Sequence, residues 1–274
     1  MKKKIGFIDL FIDEWHSNNY PGYFASAPRW SEFELMYAWE KEPFPGRRAL
    51  KEWCADNNMI PASSIAEVVE KCDALCVLAP ANPEVHEELA DLPLRSGKPL
   101  YIDKPFTNSL EAAERIFEKA EKYGTPLMTS SALRFGDQLI SGELQELKPT
   151  LFHTSGGGRS YEEYAIHQLE MIVSIMGTEV ENLHLTGDAK NLSVALEFSG
   201  NRIATLDYST YLPFTISAAN AQKAIVHPNV THMFENLTAA MLEFFATGIS
   251  PVPKAETLTI VSLLEKSVSI LRNR

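Results

Sequence analysis

Short apolar runs alternate with segments of helical period through the first half of this chain. Residues 5–11 and 33–39 read as strands, and residues 47–58 place Leu50, Trp53 and Cys54 on one helix face. Residues 63–69 open a helix with a serine cap and an acidic first turn. Residues 74–79 form a nearly unbroken apolar run, the pattern of a strand covered on both sheet faces. Residues 83–92 read as helical, 100–102 as a strand, 109–123 as an amphipathic helix stopped by Gly124, and 126–130 as another strand. The succession predicts an α/β domain over residues 1–132, with a Rossmann-like, doubly wound parallel sheet.

The texture changes after residue 132. A strand over 151–155 runs into Gly156, Gly157 and Gly158, and residues 165–176 are helical. Strands then follow without intervening helices. Residues 192–198 and 202–208 alternate with period two about a Ser199-Gly200-Asn201 turn, and 214–219 and 223–227 extend the set. Helices over 230–247 and 257–271 close the chain. This predicts a second domain, 133–274, of α+β type with a mostly antiparallel open sheet.

Composition narrows the classes. Net charge is -11, and the sole basic cluster, Lys2-Lys3-Lys4, opens directly into the first strand, which argues against a nucleic-acid partner. No apolar run approaches the ~18 residues of a membrane span, and Asp9, Asp13 and Glu14 interrupt any signal-peptide pattern. Cys54, Cys72 and Cys76 form an odd set without ligand spacing, consistent with core thiols in a reducing cytoplasm. Asp9, Asp13, His16 and His167 lack the fixed spacing of a ligand set, so no metal is expected.

Chemistry concentrates at Asp103-Lys104-Pro105, directly after the strand over 100–102. Ligands of open α/β sheets bind beyond the carboxyl ends of the strands. Pro105 ends the strand and restrains Lys104, whose ammonium is placed to polarise a hydroxyl or carbonyl. The alternative is a surface lysine in an ordinary βα turn.

Several motifs, in order, resemble the glucose–fructose oxidoreductase/inositol dehydrogenase (Gfo/Idh/MocA) family. They are Pro80-Ala81-Asn82-Pro83-Glu84-Val85-His86, Asp103-Lys104-Pro105, Arg134-Phe135, and Glu163-Tyr164-Ala165-Ile166-His167 with Glu170. The resemblance implies an NAD(P)-dependent oxidoreductase acting on a secondary alcohol of a sugar, cyclitol or related polyol, in a homo-oligomer. It assigns cofactor contacts to Asp9, Leu10, Glu40, Pro80, Asn82, His86, Asp103 and Lys104. It assigns substrate contacts to Lys104, Arg134, Glu163 and His167, with Lys104, His167 and Glu163 catalytic. In this reading His167 is the base, Lys104 its electrostatic partner, and Glu163 orients the imidazole or binds a sugar hydroxyl.

The first sixty residues depart from the family pattern. The family carries a Gly-x-Gly-x-x-Gly loop after the first strand, but here no glycine occurs between Gly6 and Gly22. His16, Asn18, Asn19 and Tyr20 stand in that place, either as a capping loop or as ligands for a sugar or base. Gly156 to Gly158 read as a wall over a substrate cleft, and Trp15, Tyr20, Tyr23, Phe24 and Trp30 as core. Two further readings therefore stay open: a ligand-binding or regulatory protein on this scaffold, and a non-redox lyase- or hydrolase-type member.

Overall fold

A computed structural model describes residues 1–274, which divide into two compact units. The first comprises Met1–Ser130 and Leu237–Pro253, the second Ser131–Asn236 and Lys254–Arg274. The segment Leu237–Pro253, expected in the second domain, thus groups with the first. Its buried Leu237, Met241, Leu242, Phe244 and Phe245 make it part of that core, and Glu243 pairs with Arg29 at 2.7 Å.

In the first unit, strands β1 (Lys3–Asp9), β2 (Phe33–Glu40), β3 (Ile60–Pro61), β4 (Ala74–Val77), β5 (Leu100–Ile102) and β6 (Leu127–Met128) form one parallel sheet ordered β3-β2-β1-β4-β5-β6. That order places β1, β4 and β5 side by side, so the ends at Asp9, Leu78 and Asp103 line one edge. Both faces are covered, and β4 is buried throughout. Helix α1 (Trp15–Ser26) follows β1, α2 (Leu50–Asp56) follows β2, α3 (Ile65–Lys71) precedes β4, and α4 (Leu110–Tyr123) follows β5. Ser109 caps α4 through the Ala112 N–H, and Gly124 ends it with φ of 64°.

Sequence periodicity misses α1. Its buried face repeats at His16, Tyr20 and Phe24, four residues apart, but Asn18, Asn19, Pro21 and Gly22 are poor helix formers. The helix holds because burial of that face outweighs propensity. The helix expected over 83–92 is broken into short turns at Pro83–Val85, His86–Leu89 and Asp91–Leu94, as Pro93 interrupts the pattern.

In the second unit, β7 (Leu151–Gly156), β8 (Val180–Gly187), β9 (Asn191–Phe198), β10 (Arg202–Ser209), β11 (Thr215–Ala219) and β12 (Ala224–His227) form a sheet ordered β12-β11-β7-β10-β9-β8. All pairings are antiparallel except β7 with β10. Leu192, Val194, Leu196 and Phe198 of β9 and Ala204, Leu206 and Tyr208 of β10 face one core. That core also holds Leu169, Met171 and Ile172 of α5 (Tyr161–Met176) and Ile260, Leu263 and Leu264 of the last helix, Lys254–Arg272. The preceding helix is Met233–Thr247; these two are α6 (Met233–Thr247) and α7 (Lys254–Arg272).

Candidate functional site

A buried polar cluster lies at the carboxyl edge of the first sheet. Asp9 at the end of β1 is fully buried, and its Oδ1 accepts the N–H groups of Leu10 at 2.7 Å and Ala79 at 3.0 Å. Its Oδ2 is buried without a hydrogen-bond partner. Burial pushes the Asp9 carboxyl well above its usual range, and the neighbouring Glu14 charge adds to the shift. Asp103, directly after β5, is fully buried as well. Its Oδ1 accepts the Lys104 N–H at 2.8 Å and the Tyr101 hydroxyl at 3.3 Å, and its Oδ2 meets His16 Nδ1 in a short contact. Burial would raise this carboxyl, but the His16 imidazole, the Lys104 ammonium and the Lys104 N–H together outweigh it and hold the group below its usual range. The Tyr20 hydroxyl lies 3.2 Å from the same imidazole nitrogen.

Lys104 follows in the same turn, mostly buried, with Nζ donating to the Pro80 carbonyl at 3.2 Å. His86 is fully buried, Nδ1 2.9 Å from the Phe106 carbonyl and Nε2 2.6 Å from that of Leu78. It therefore ties the end of β4 to the turn after Lys104. Ala79 between them adopts φ of 62°, held by the Asp9 carboxylate on its N–H. For a residue with a Cβ this left-handed conformation is costly and marks a place where neighbours over-determine the backbone. Asn82 turns its side chain to Glu84 at 2.9 Å, and Leu10 is buried.

The start of α1 is occupied by the chain itself. Glu14 is the N-cap, and its carboxylate accepts the N–H groups of His16 at 2.8 Å and Ser17 at 2.6 Å. The Glu14 N–H in turn donates to Ser17 Oγ at 3.4 Å. Burial raises the Glu14 carboxyl above its ordinary value, against the opposing pull of His16. Glu40, the candidate ribose acid, accepts the N–H groups of Ile12 at 3.0 Å and Leu50 at 3.2 Å. Asp13 is turned to Arg48, 2.7 Å from its Nη2, and the guanidinium holds that carboxyl far below its usual range. The sequence signal for the cap was Glu14 three residues before Ser17, the reverse of the usual serine-first order.

The second unit holds its own polar cluster. His167 Nδ1 lies 2.6 Å from Ser131 Oγ, and its ring packs edge-on to Tyr164 and Phe214. Glu170 accepts the Ser131 N–H at 3.1 Å and Arg134 Nε at 2.5 Å, while Arg134 Nη1 reaches Glu256 at 2.5 Å. Arg134 is thus a buried cation between two carboxylates, with Nη2 lacking a partner. Glu163 pairs with Arg159, four residues earlier in the chain. The glycines before α5 are packed closely, and a Cβ on Gly158 would stand 2.1 Å from the Tyr164 ring. They are close-approach points.

Residues 26–131 match the family described as an oxidoreductase family with an NAD-binding Rossmann fold, Gfo/Idh/MocA. The match begins at the last residue of α1, leaving out β1 and the Glu14 cap. No curated protein matches the chain by sequence. A probable dehydrogenase from Thermotoga maritima is similar with TM-score 0.82 and 17% identity, covering 99% of this chain and 97% of that one. A Gfo/Idh/MocA family oxidoreductase from Vibrio cholerae gives TM-score 0.78 and 18% identity, each chain covered in full at 100%. The WlbA dehydrogenase from Bordetella pertussis, in complex with NADH and UDP-GlcNAcA, gives TM-score 0.80 and 14% identity over 100% of this chain and 97% of that one. At these identities the likeness establishes the Gfo/Idh/MocA fold.

A dinucleotide in such a sheet lays its pyrophosphate on the first N–H groups of the helix after β1. Here Glu14 takes those groups and Glu40 is committed to backbone N–H groups. An ionised carboxylate ~5 Å from a phosphate charge costs about 3 kcal/mol at an effective dielectric of ~20. As folded, these two positions do not fit a pyrophosphate and an adenosine ribose. No helix is long and apolar enough to cross a membrane, and no group of His, Cys, Asp and Glu has metal-binding geometry.

Proposed function

We propose that the protein is an NAD(P)-linked oxidoreductase of a secondary alcohol on a sugar, cyclitol or related polyol. The observation that carries this reading is Asp103 with Lys104 at the carboxyl end of β5, in a sheet ordered as in dinucleotide-binding domains of an oxidoreductase family. Asp103 fixes the Lys104 backbone, and the Lys104 ammonium is the cation placed to stabilise charge on a substrate oxygen. In the second unit, His167 is the candidate base, its ring set by Ser131, Tyr164 and Phe214. The sugar nucleotide bound by the Bordetella dehydrogenase supports a polar, hydroxyl-rich substrate. Three free, buried cysteines suit a reducing cytoplasm, and a homo-oligomer accords with the resemblance.

A second reading, a ligand-binding or regulatory protein on this fold, is favoured by one observation: the Glu14 carboxylate at the start of α1. Titration of the purified protein with NADH and NADPH by fluorescence separates the two. Saturable binding, with NAD(P) reduced when polyols or sugars are supplied, is expected. Sugar binding with no dinucleotide bound at millimolar concentration establishes the second reading instead.

A further inference from the structure

A base at His167 requires one particular placement of the imidazole proton. A neutral imidazole carries a single N–H, so a ring that accepts a proton at Nε2 must hold its own on Nδ1. We propose that Ser131 is the positioning residue that selects this form, accepting a hydrogen bond from His167 Nδ1–H and leaving Nε2 as the proton acceptor. The inference rests on the reading above in taking His167 as the base. Ser131 Oγ stands 2.6 Å from Nδ1. The Tyr164 and Phe214 rings meet the imidazole edge-on, with centroids at 5.5 and 5.6 Å. They hold the plane of the ring but do not choose between its nitrogens. The hydroxyl on Nδ1 makes that choice.

Two further contacts fix Ser131 for this role. It is the N-cap of the short turn Ala132–Phe135, where its Oγ accepts the Leu133 N–H at 3.1 Å. A hydroxyl oxygen has two acceptor lone pairs, so the same Oγ can take the Leu133 N–H and the His167 Nδ1–H together. The backbone of Ser131 is pinned separately. Its N–H donates to Glu170 at 3.1 Å, and Arg134 Nε holds the other oxygen of that carboxylate at 2.5 Å. Both Ser131 and Glu170 are buried. Glu170 lies three residues after His167 on α5, so one helix face carries the imidazole and the clamp on the serine that orients it. The hydroxyl cannot leave the ring without breaking the cap, the bond to Glu170, or both. Arg134 and Glu170 thus act on Ser131, and Ser131 acts on His167.

Long-range proton–nitrogen correlation spectra of protein carrying nitrogen-labelled histidine read the tautomer directly, with neither cofactor nor substrate added. They are recorded at a pH where the ring is neutral, and His167→Gln assigns the signal among the seven histidines. The wild type is expected to show the Nδ1–H form. Ser131→Thr retains the hydroxyl and should retain that form, whereas Ser131→Ala should lose it. Ser131→Gly also lacks the hydroxyl and serves should alanine fold poorly, because glycine is tolerated at an N-cap. On a polyol or sugar that the wild type turns over, Ser131→Ala is expected to lower kcat by about tenfold or more with KM nearly unchanged, and Ser131→Thr to stay within about threefold of wild type. An Nε2–H ring in the wild type, or an Nδ1–H ring that survives loss of the hydroxyl, overturns the proposal. A wild-type kcat in Ser131→Ala overturns it as well, since the tautomer then has no part in the reaction. An Nδ1–H form that depends on Ser131, in a protein that turns over no polyol or sugar, upholds the choice of tautomer by Ser131 and removes the oxidoreductase reading alone.

Discussion

His16 and Asp103 stand 87 residues apart in the chain, yet the imidazole Nδ1 of one is bonded to the carboxylate of the other. The contact exists because β1 and β5 flank β4 on either side, so the segments leaving their carboxyl ends converge. Tyr20, one turn along α1, adds its hydroxyl to the same nitrogen at 3.2 Å. Tyr101 spans Asp103 and the Ser130 carbonyl at 3.3 and 3.1 Å. A buried carboxylate with these partners stays ionised and fixes the turn that carries Lys104.

Replacement of Lys104 by alanine is expected to lower turnover by about 10²-fold or more, the usual scale for a positioned acid or electrostatic group. The backbone bond from Lys104 N–H to Asp103 survives the change, so the melting temperature should move by only about 2–4 °C, equivalent to ~1 kcal/mol in a chain of this length. Steady-state kinetics beside a thermal melt makes the test. Turnover near wild type would remove Lys104 from the reaction.

Asp9→Asn should stabilise the protein at alkaline pH. A carboxyl whose folded value is raised binds more protons folded than unfolded, so it weakens the fold as pH climbs from about 3.8 through the raised value. Asparagine keeps an oxygen for the Leu10 and Ala79 N–H groups and removes the charge. A melting temperature about 2–4 °C above wild type at pH 8 is expected, the shift of a ~1 kcal/mol gain. The difference should close towards pH 4, and a gap that instead widened on acidification would contradict the assignment.

Arg134→Met leaves Glu170 and Glu256 facing a site without its cation. Stripping one partner from a buried ion pair typically costs about 3–5 kcal/mol, and Arg134 reaches both carboxylates at 2.5 Å. Urea unfolding at pH 7 should show that loss. Adding Glu170→Gln and Glu256→Gln should recover most of it, because no uncompensated charge then stays buried. A loss below ~1 kcal/mol would mean that the pair is solvated like a surface bridge.

Much of the scaffold was legible in the residue pattern. The apolar run at 74–79 betrayed a strand covered on both faces, and the observed β4, Ala74–Val77, lies inside it. Asp103 and Lys104 could be placed at a strand end because an apolar run stops there and a proline follows. β8 escaped because it lies at the sheet edge and buries only Leu185, so its polar positions show no alternation.

Local pattern, then, determined the order of elements, the two sheet types and the strand-end lysine, since each depends on neighbours within a few residues. The electrostatic partners were decided by tertiary structure alone. Arg134 meets Glu256 across 122 residues, and Glu40 spends its carboxylate on the N–H of Ile12, 28 residues away. Glu14 looked like one more acid in a loop until burial of His16, Tyr20 and Phe24 wound that loop into a helix and made the acid its cap. A side chain's charge is written in the sequence. Whether that charge faces solvent, a cation or an open helix end depends on which strands lie side by side, and long-range packing sets that.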